Sequence, residues 1–286
     1  MRVLGFGDNI VDRFIDRGVD YPGGNSVNVA VYARRLGLES AYLGVFGDDP
    51  LGAFLRESIA AEGVSIDGCV VREGESGVSH LRVDDGDRVF LGWNGGGVTV
   101  REPLVLDDGL LGYVGGFDLV HSSVYSRSEP ELPKLAELRT LVSFDLSSEE
   151  EYRSPAYLDR VCPHADLVLL SCSDLDAAAT GDLLAEAVRR GARLAVGTRG
   201  VAGAIAHDGH ALASAPAQRA DGIVDTMGCG DAFLAGFAVS MLRDGWTSGD
   251  RPGLGRIARA LARGAESARD QCFVEGAFGH GRLTTM

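Results

Sequence analysis

The chain has 286 residues, 45% of them hydrophobic and 24% charged, which describes an ordinary globular protein with material for a substantial core. Its formal net charge of -14 argues against a nucleic-acid binder, whose phosphate-contacting surface needs clustered Lys and Arg. No apolar run approaches the roughly 18 to 20 residues needed to cross a bilayer, so no membrane partner is expected. Met1–Gly5 leads straight into strand-like sequence without a signal-peptide layout. Cys69, Cys162, Cys172, Cys229 and Cys272 are an odd, scattered set without a CxxC pair. That pattern predicts reduced thiols in a cytoplasm, not a disulfide framework or a zinc site.

Apolar β-rich runs alternate with helical patterns along the chain. Val3 to Phe6 reads as a first strand, and Asn25 to Leu36 as a helix with Val27, Ala30 and Val31 on one face and Gly37 as its stop. Ala41 to Phe46 is strand-like. Asp49-Pro50 then opens a helix running to Glu62, with proline at the permitted first position. Gly68 to Val100 breaks the pattern: two alternating runs flank Asp84-Asp85-Gly86-Asp87, which predicts a β-hairpin lying as a flap over the sheet edge. Asp118–Ser122, Leu141–Asp145, Asp166–Ser171 and Arg193–Thr198 are further short strands. The alternation predicts one three-layer α/β/α domain over 1–286, with a central, mostly parallel sheet and a small β lid at about 68–100. Ligands in such folds bind at the carboxyl ends of the strands.

The sharpest signal is Asp225-Thr226-Met227-Gly228-Cys229-Gly230-Asp231, followed by Leu234, Phe237, Ala238, Met241 and Leu242 on one helical face. A glycine-rich turn entering a helix offers unpaired N–H groups and the positive end of a dipole to an anion. Asp231 stands beside that anion position, where it can take a proton from an attacking hydroxyl. A helix cap with a shaped turn would also account for these residues, but the flanking Asp-Thr and the long apolar helix favour the functional reading. Gly23-Gly24-Asn25-Ser26-Val27-Asn28 is a second glycine-led helix start whose amides can both donate to and accept from hydroxyls. Asp8 and Asp12 follow the first strand, where carboxylates can accept from further hydroxyls.

Lys134, in Leu132-Pro133-Lys134-Leu135, is the only lysine. A P-loop, GxxxxGK followed by Ser or Thr, is therefore impossible, and so is the strand lysine of a protein kinase. Gly5-Phe6-Gly7-Asp8-Asn9-Ile10 fails the dinucleotide fingerprint at its third glycine. Bound phosphate must rest on backbone amides, arginine and a metal ion.

Together the Gly-Gly-Asn segment and Asp-Thr-x-Gly-x-Gly-Asp resemble the two signatures of the PfkB (ribokinase-like) carbohydrate kinases, in matching order and over essentially the whole chain. The resemblance implies an ATP-dependent sugar kinase with Mg²⁺, and leaves a monovalent cation open. It implies Asp231 as the base and the amides of Gly228, Cys229 and Gly230 as the anion hole, with Cys229 where alanine is more usual. Sugar contacts would fall to Asp8, Asp12, Gly24, Asn25 and Asn28. Gly197 to Gly203 is similar to the family's nucleotide loop, which assigns Thr198, Gly200 and Gly203 to ATP, together with Ser173 and Asp225. Ile223 to Asp225 and the C-terminal helix from Gly255 to Arg269 would frame the adenine. The family's Asn-x-x-Glu is matched only by Ser173-Asp174-Leu175-Asp176, so Asp176 would hold the metal through water, or simply cap a helix. Gly7-Asp8-Asn9-Ile10-Val11-Asp12, Asp87-Arg88-Val89-Phe90 and Gly276-Ala277-Phe278-Gly279-His280-Gly281 look most like fructoselysine/fructosamine 6-kinases, which makes Arg88 a substrate contact. A kinase for another small sugar or a nucleoside, and a non-catalytic sensor, remain as alternatives. The family often dimerises through its lid, which leaves a homodimer through the lid open here, although no stripe of apolar residues in the hairpin compels it.

Overall fold

The computed structural model describes residues 1–84 and 87–284, with backbone only for 84, 87 and 88. In chain order the first seven strands are β1 (Arg2–Gly7), β2 (Ile10–Phe14), β3 (Val19–Gly23), β4 (Glu39–Gly47), β5 (Val70–Arg72), β6 (Val78–Asp84) and β7 (Asp87–Trp93). The rest are β8 (Leu119–Ser123), β9 (Leu141–Asp145), β10 (Leu167–Ser171), β11 (Leu194–Thr198), β12 (Ala204–His207), β13 (Leu212–Ala215) and β14 (Arg282–Leu283). Helices are α1 (Asn25–Arg35), α2 (Pro50–Ala61), α3 (Gly97–Arg101), α4 (Asp108–Val114), α5 (Leu132–Leu135), α6 (Pro155–Val161), α7 (Ala177–Arg189), α8 (Cys229–Arg243) and α9 (Leu254–Gln271). None is long and apolar enough to cross a membrane.

The large sheet has the order β13-β12-β11-β10-β9-β8-β1-β4-β5. From β5 to β11 its neighbours run parallel; β12 and β13 finish one edge antiparallel. Successive side chains leave a strand on opposite faces, and both faces here are apolar. Leu4, Phe6, Val142, Phe144, Val168 and Leu170 join one core, while Val3, Leu141, Leu167 and Leu169 join the other with Phe233, Phe237 and Leu261. Each fully buried side chain of this size contributes about 1.5–3 kcal/mol. Glycines set the closest approaches: a Cβ on Gly5 would lie 1.9 Å from the Ser26 carbonyl oxygen, so only glycine lets α1 lie against β1. At the start of α2, the Asp49 carboxylate accepts from Gly52 N at 2.7 Å, with Pro50 in the first turn as its missing N–H allows.

The expected hairpin forms from β6 and β7, antiparallel, with a register shift between His80 and Leu81. It does not stand alone. It joins β2, β3 and β14 in a five-stranded sheet ordered β14-β3-β2-β6-β7. The β2–β3 hairpin, which sequence reading passed over, follows β1 directly and returns the chain to the start of α1. Val11, Phe14, Tyr21, Val78 and Leu81 pack beneath this sheet with Val27, Val31, Phe46, Phe54 and Ile59, tying it to α1, α2 and β4. Turn residues 85–86 lie outside the described residues.

Candidate active site

The carboxyl ends of β1, β8, β9, β10 and β11 open on one side of the large sheet, and the first turns of α1 and α8 face them. Asp231 lies in the first turn of α8, where Gly228 caps the helix with φ 72°. That angle suits glycine, and a side chain on Gly228 would also stand 2.3 Å from the Tyr32 hydroxyl. The Tyr32 hydroxyl itself donates to the Ala277 carbonyl, fixing α1 against the C-terminal segment. Gly228 and Cys229 are half-buried and Gly230 is exposed, with open space where a Cβ would project from it. Ala232 N donates to Gly228 O at 2.8 Å and Cys229 N to Thr226 O at 3.3 Å, which fixes the backbone of the turn where the helix begins.

Asp231 is buried and accepts from Asn28 Nδ2 at 2.7 Å. Burial holds its carboxyl well above the usual range, the negative charge of Asp145 adds to this, Asn28 opposes it, and Asp8 and Asp12 raise it further. Asp145 ends β9, accepts from Asn25 Nδ2 at 3.0 Å and from Ser147 N at 2.7 Å, and is pushed up to about 6, chiefly by burial. Two helical amides three residues apart on α1 therefore hold two carboxylates, one from each side of the pocket. The amide oxygen of Asn28, Oδ1, is buried without a hydrogen-bond partner.

Asp8 is held by its surroundings. Its Oδ1 accepts from Ser126 Oγ at 2.7 Å, Ser26 Oγ at 2.8 Å and Ser123 Oγ at 3.0 Å. Gly24, at φ 116°, could carry no side chain, since a Cβ would meet Asn9 Cα and Asp8 O at 2.8 Å. Asp12 reaches the site from β2 in the lid, its Oδ2 lying over Gly23 where a Cβ would come within 2.5 Å.

Asp225 turns its carboxylate onto backbone: Oδ1 accepts from Met227 N and Oδ2 from Gly276 N, both at 3.0 Å. Gln271 Nε2 donates to the carbonyls of Met227 and Gly276 from the other side. The glycine turn is thus latched to the C-terminal segment. Val224 N donates to Cys272 O at 2.8 Å, which sets the exposed Ile223 and Val224 beside the exposed Phe273. Together they leave an exposed apolar surface beside the glycine turn.

On neighbouring strand ends, Ser171 pairs with Thr198 across β10 and β11, and a Cβ on Gly200 would lie 3.5 Å from Ser173 Oγ. Gly203, at φ 89°, closes the loop by accepting from Arg199 N at 2.7 Å. Asp176 is the N-cap of α7, accepting from Ala179 N at 2.8 Å with Oδ1. Asp174 beside it pairs with Arg153. Among the described residues no group of three or more His, Cys, Asp or Glu is arranged to hold a metal. The Arg88 side chain lies outside the described residues.

Comparison with known proteins matches residues 14–272 to the family described as pfkB family carbohydrate kinase. The chain belongs to the pfkB family of carbohydrate kinases. It is 40% identical over 284 residues to fructosamine kinase FrlD of Bacillus subtilis (strain 168), covering 98% of this chain and 94% of that one. It is 31% identical over 272 residues to the fructoselysine 6-kinase of Escherichia coli (strain K12), covering 95% and 97%. Among solved structures, an uncharacterized sugar kinase from Pyrococcus horikoshii superposes with TM-score 0.76 at 21% identity, covering 97% of this chain and 94% of that one. A fructokinase from Vibrio cholerae O395, solved with fructose, ADP and calcium ion, gives 0.73 at 23% identity, covering 96% and 94%. Within this pfkB fold, sequence reading had named Asp8, Asp12, Asn25, Asn28 and Asp231 but not Asp145, Ser26, Ser123, Ser126 or Tyr32. One signal for Asp145 was present: a buried apolar strand, Leu141–Phe144, that ends on a carboxylate at the binding edge.

Proposed function

We propose that this pfkB kinase transfers the γ-phosphoryl group of ATP to a primary sugar hydroxyl, O6 of a fructosamine such as fructoselysine. The observation that carries the reading is Asp231: a buried carboxylate in the mouth of a glycine-led helix start, held by Asn28 and kept above its usual range. Such a carboxylate takes the hydroxyl proton, and the amides of Gly228, Cys229 and Gly230 receive the charge that develops on the phosphoryl oxygens. Asp8, Asp12, Gly24, Asn25, Asn28 and Asp145 hold the sugar hydroxyls, and the lid sheet excludes water that would compete as acceptor. Thr198, Gly200, Gly203 and Ser173 carry the nucleotide phosphates, and the exposed apolar surface of Ile223, Val224 and Phe273 takes the purine. Asp225 acts on ATP indirectly, by holding the turn. A Mg²⁺ ion bound with the nucleotide supplies charge neutralisation on the phosphates. Asp176 fits it only through water, because one carboxylate oxygen already caps α7.

The fructosamine assignment rests on the 40% and 31% identities. An ADP-release screen of fructoselysine, related glycated amino acids, fructose, ribose and nucleosides tests it. Fructoselysine should give the highest kcat/KM; a higher value for fructose or a nucleoside would replace the acceptor, and no ADP release with any of them would leave a sensor. The reading includes a cytoplasmic enzyme and a homodimer through the lid, whose Phe90, Leu91 and Trp93 are exposed. Sedimentation at micromolar concentration should show twice the monomer mass.

A further inference from the structure

Two of the five thiols meet at the edge of the glycine turn, Cys229 from the turn itself and Cys272 from the end of α9. Cys229 Sγ lies 3.5 Å from Cys272 Sγ, although 43 residues separate them. Cys229 is the first residue of α8 and supplies one amide of the anion hole; Cys272 caps the C-terminal end of α9. Both are half-buried, open to a small oxidant. The strands of chain that carry them are already joined, since Val224 N and Asp225 N both donate to the Cys272 carbonyl. The other three thiols differ. Burial pushes Cys69 and Cys162 up to about 12 and Cys172 to about 11, which keeps them as unreactive thiols.

We propose that Cys229 and Cys272 form a reversible disulfide that switches the kinase off. The oxidant is a peroxide. The Cys229 thiolate, at the helix end that favours negative charge, attacks one peroxide oxygen, breaking the O–O bond to give a sulfenic acid and hydroxide, which takes up a proton as water. The Cys272 thiol then attacks the sulfenic sulfur, forming the S–S bond and releasing the oxygen as a second water. Two thiols lose two electrons and two protons in all, and the peroxide accepts both. A dithiol reductant reverses the step by exchange.

The bond requires the two sulfurs to close by about 1.5 Å, to the usual S–S length. That movement draws on Cys229 at the point where its amide and those of Gly228 and Gly230 must face the phosphoryl group. A misplacement of about 1 Å in such a group costs on the order of 10²-fold in rate. The cross-link itself follows from the sulfur geometry alone; its inhibitory effect rests on the anion-hole reading.

The experiment treats the full chain with hydrogen peroxide, maps disulfides by mass spectrometry, and measures ADP release before and after dithiothreitol. The Cys229–Cys272 peptide pair should appear, lighter by two hydrogen atoms, while turnover falls at least about tenfold and dithiothreitol restores it. Cys272→Ala should keep its turnover under the same treatment, with its melting temperature recorded to verify folding. Absence of the linked peptide overturns the proposal, as does a linked enzyme with unchanged turnover. Equal loss of activity in Cys272→Ala overturns it too. The mass measurement needs no sugar, so a wrong acceptor assignment would leave it readable.

Discussion

In the proposed function the phosphate side of the site runs through seven consecutive residues, Asp225 to Asp231, whereas the proposed sugar side gathers Asp8, Asn25, Ser123, Ser126 and Asp145 from the ends of three strands and the start of a helix. The first is local backbone chemistry: a glycine at φ 72° ends a turn, and a helix begins on the next residue. The second is assembled by the sheet, which brings serine hydroxyls more than a hundred residues away onto a single oxygen of Asp8. The contrast teaches that a pocket can have one side written in contiguous sequence and the other written only in topology. The two sides meet electrostatically at Asp231, whose carboxyl is raised first by burial and then by the charges of Asp145, Asp8 and Asp12.

The largest expected effect tests the local side. Asp231→Asn removes the proposed base and should lower kcat by at least about 10²-fold, with nucleotide binding by calorimetry retained. Retention of more than about a tenth of the rate would move the base elsewhere and dissolve the contrast. Gly228→Ala should follow closely, because it adds strain of about 1–3 kcal/mol at the positive φ and drives a methyl into the Tyr32 hydroxyl. Loss of melting temperature together with a kcat fall of about tenfold or more would show that the turn itself is the phosphate device.

Asp145→Asn probes the link between the sides. If Asp231 is the base it works deprotonated, so its raised pKa puts the acid limb of kcat above the usual carboxylate range; removing the Asp145 charge should move that limb to lower pH. An unmoved limb would mean that the two sides act independently. The same variant has a stability signature. Asp145 is pushed up to about 6, so its contribution to folding is fully present below about 4 and is lost as pH rises through about 6. Relative to the wild type, Asp145→Asn should therefore gain about 3 kcal/mol above that window and little below it, read by urea unfolding at both pH values. Ser126→Ala gives the smallest effect. It leaves Asp8 two hydroxyl donors, from Ser26 and Ser123, and should raise the sugar KM by roughly threefold with little change in kcat.

The sequence by itself determined the layers, since buried apolar runs of about five residues alternating with amphipathic helices have no other economical burial than a covered parallel sheet. It also determined the phosphate turn, because glycine spacing and a helix start are local properties. Arg88 was nameable from its place in the hairpin, but its side chain lies outside the described residues. The lid was legible only as β6–β7: Ile10–Phe14 and Val19–Gly23 are short, and their strand character comes from pairing with each other and, for Ile10–Phe14, with β6, rather than from their own pattern. Tertiary structure alone decided that Asp145, a strand-end residue, faces Asp231, and that the serines of β8 and the turn after it face Asp8. It decided as well that Cys229 meets Cys272. Each of these pairs is remote in sequence and near in space, and nothing in a residue's own neighbourhood records which strand end the sheet will set beside it.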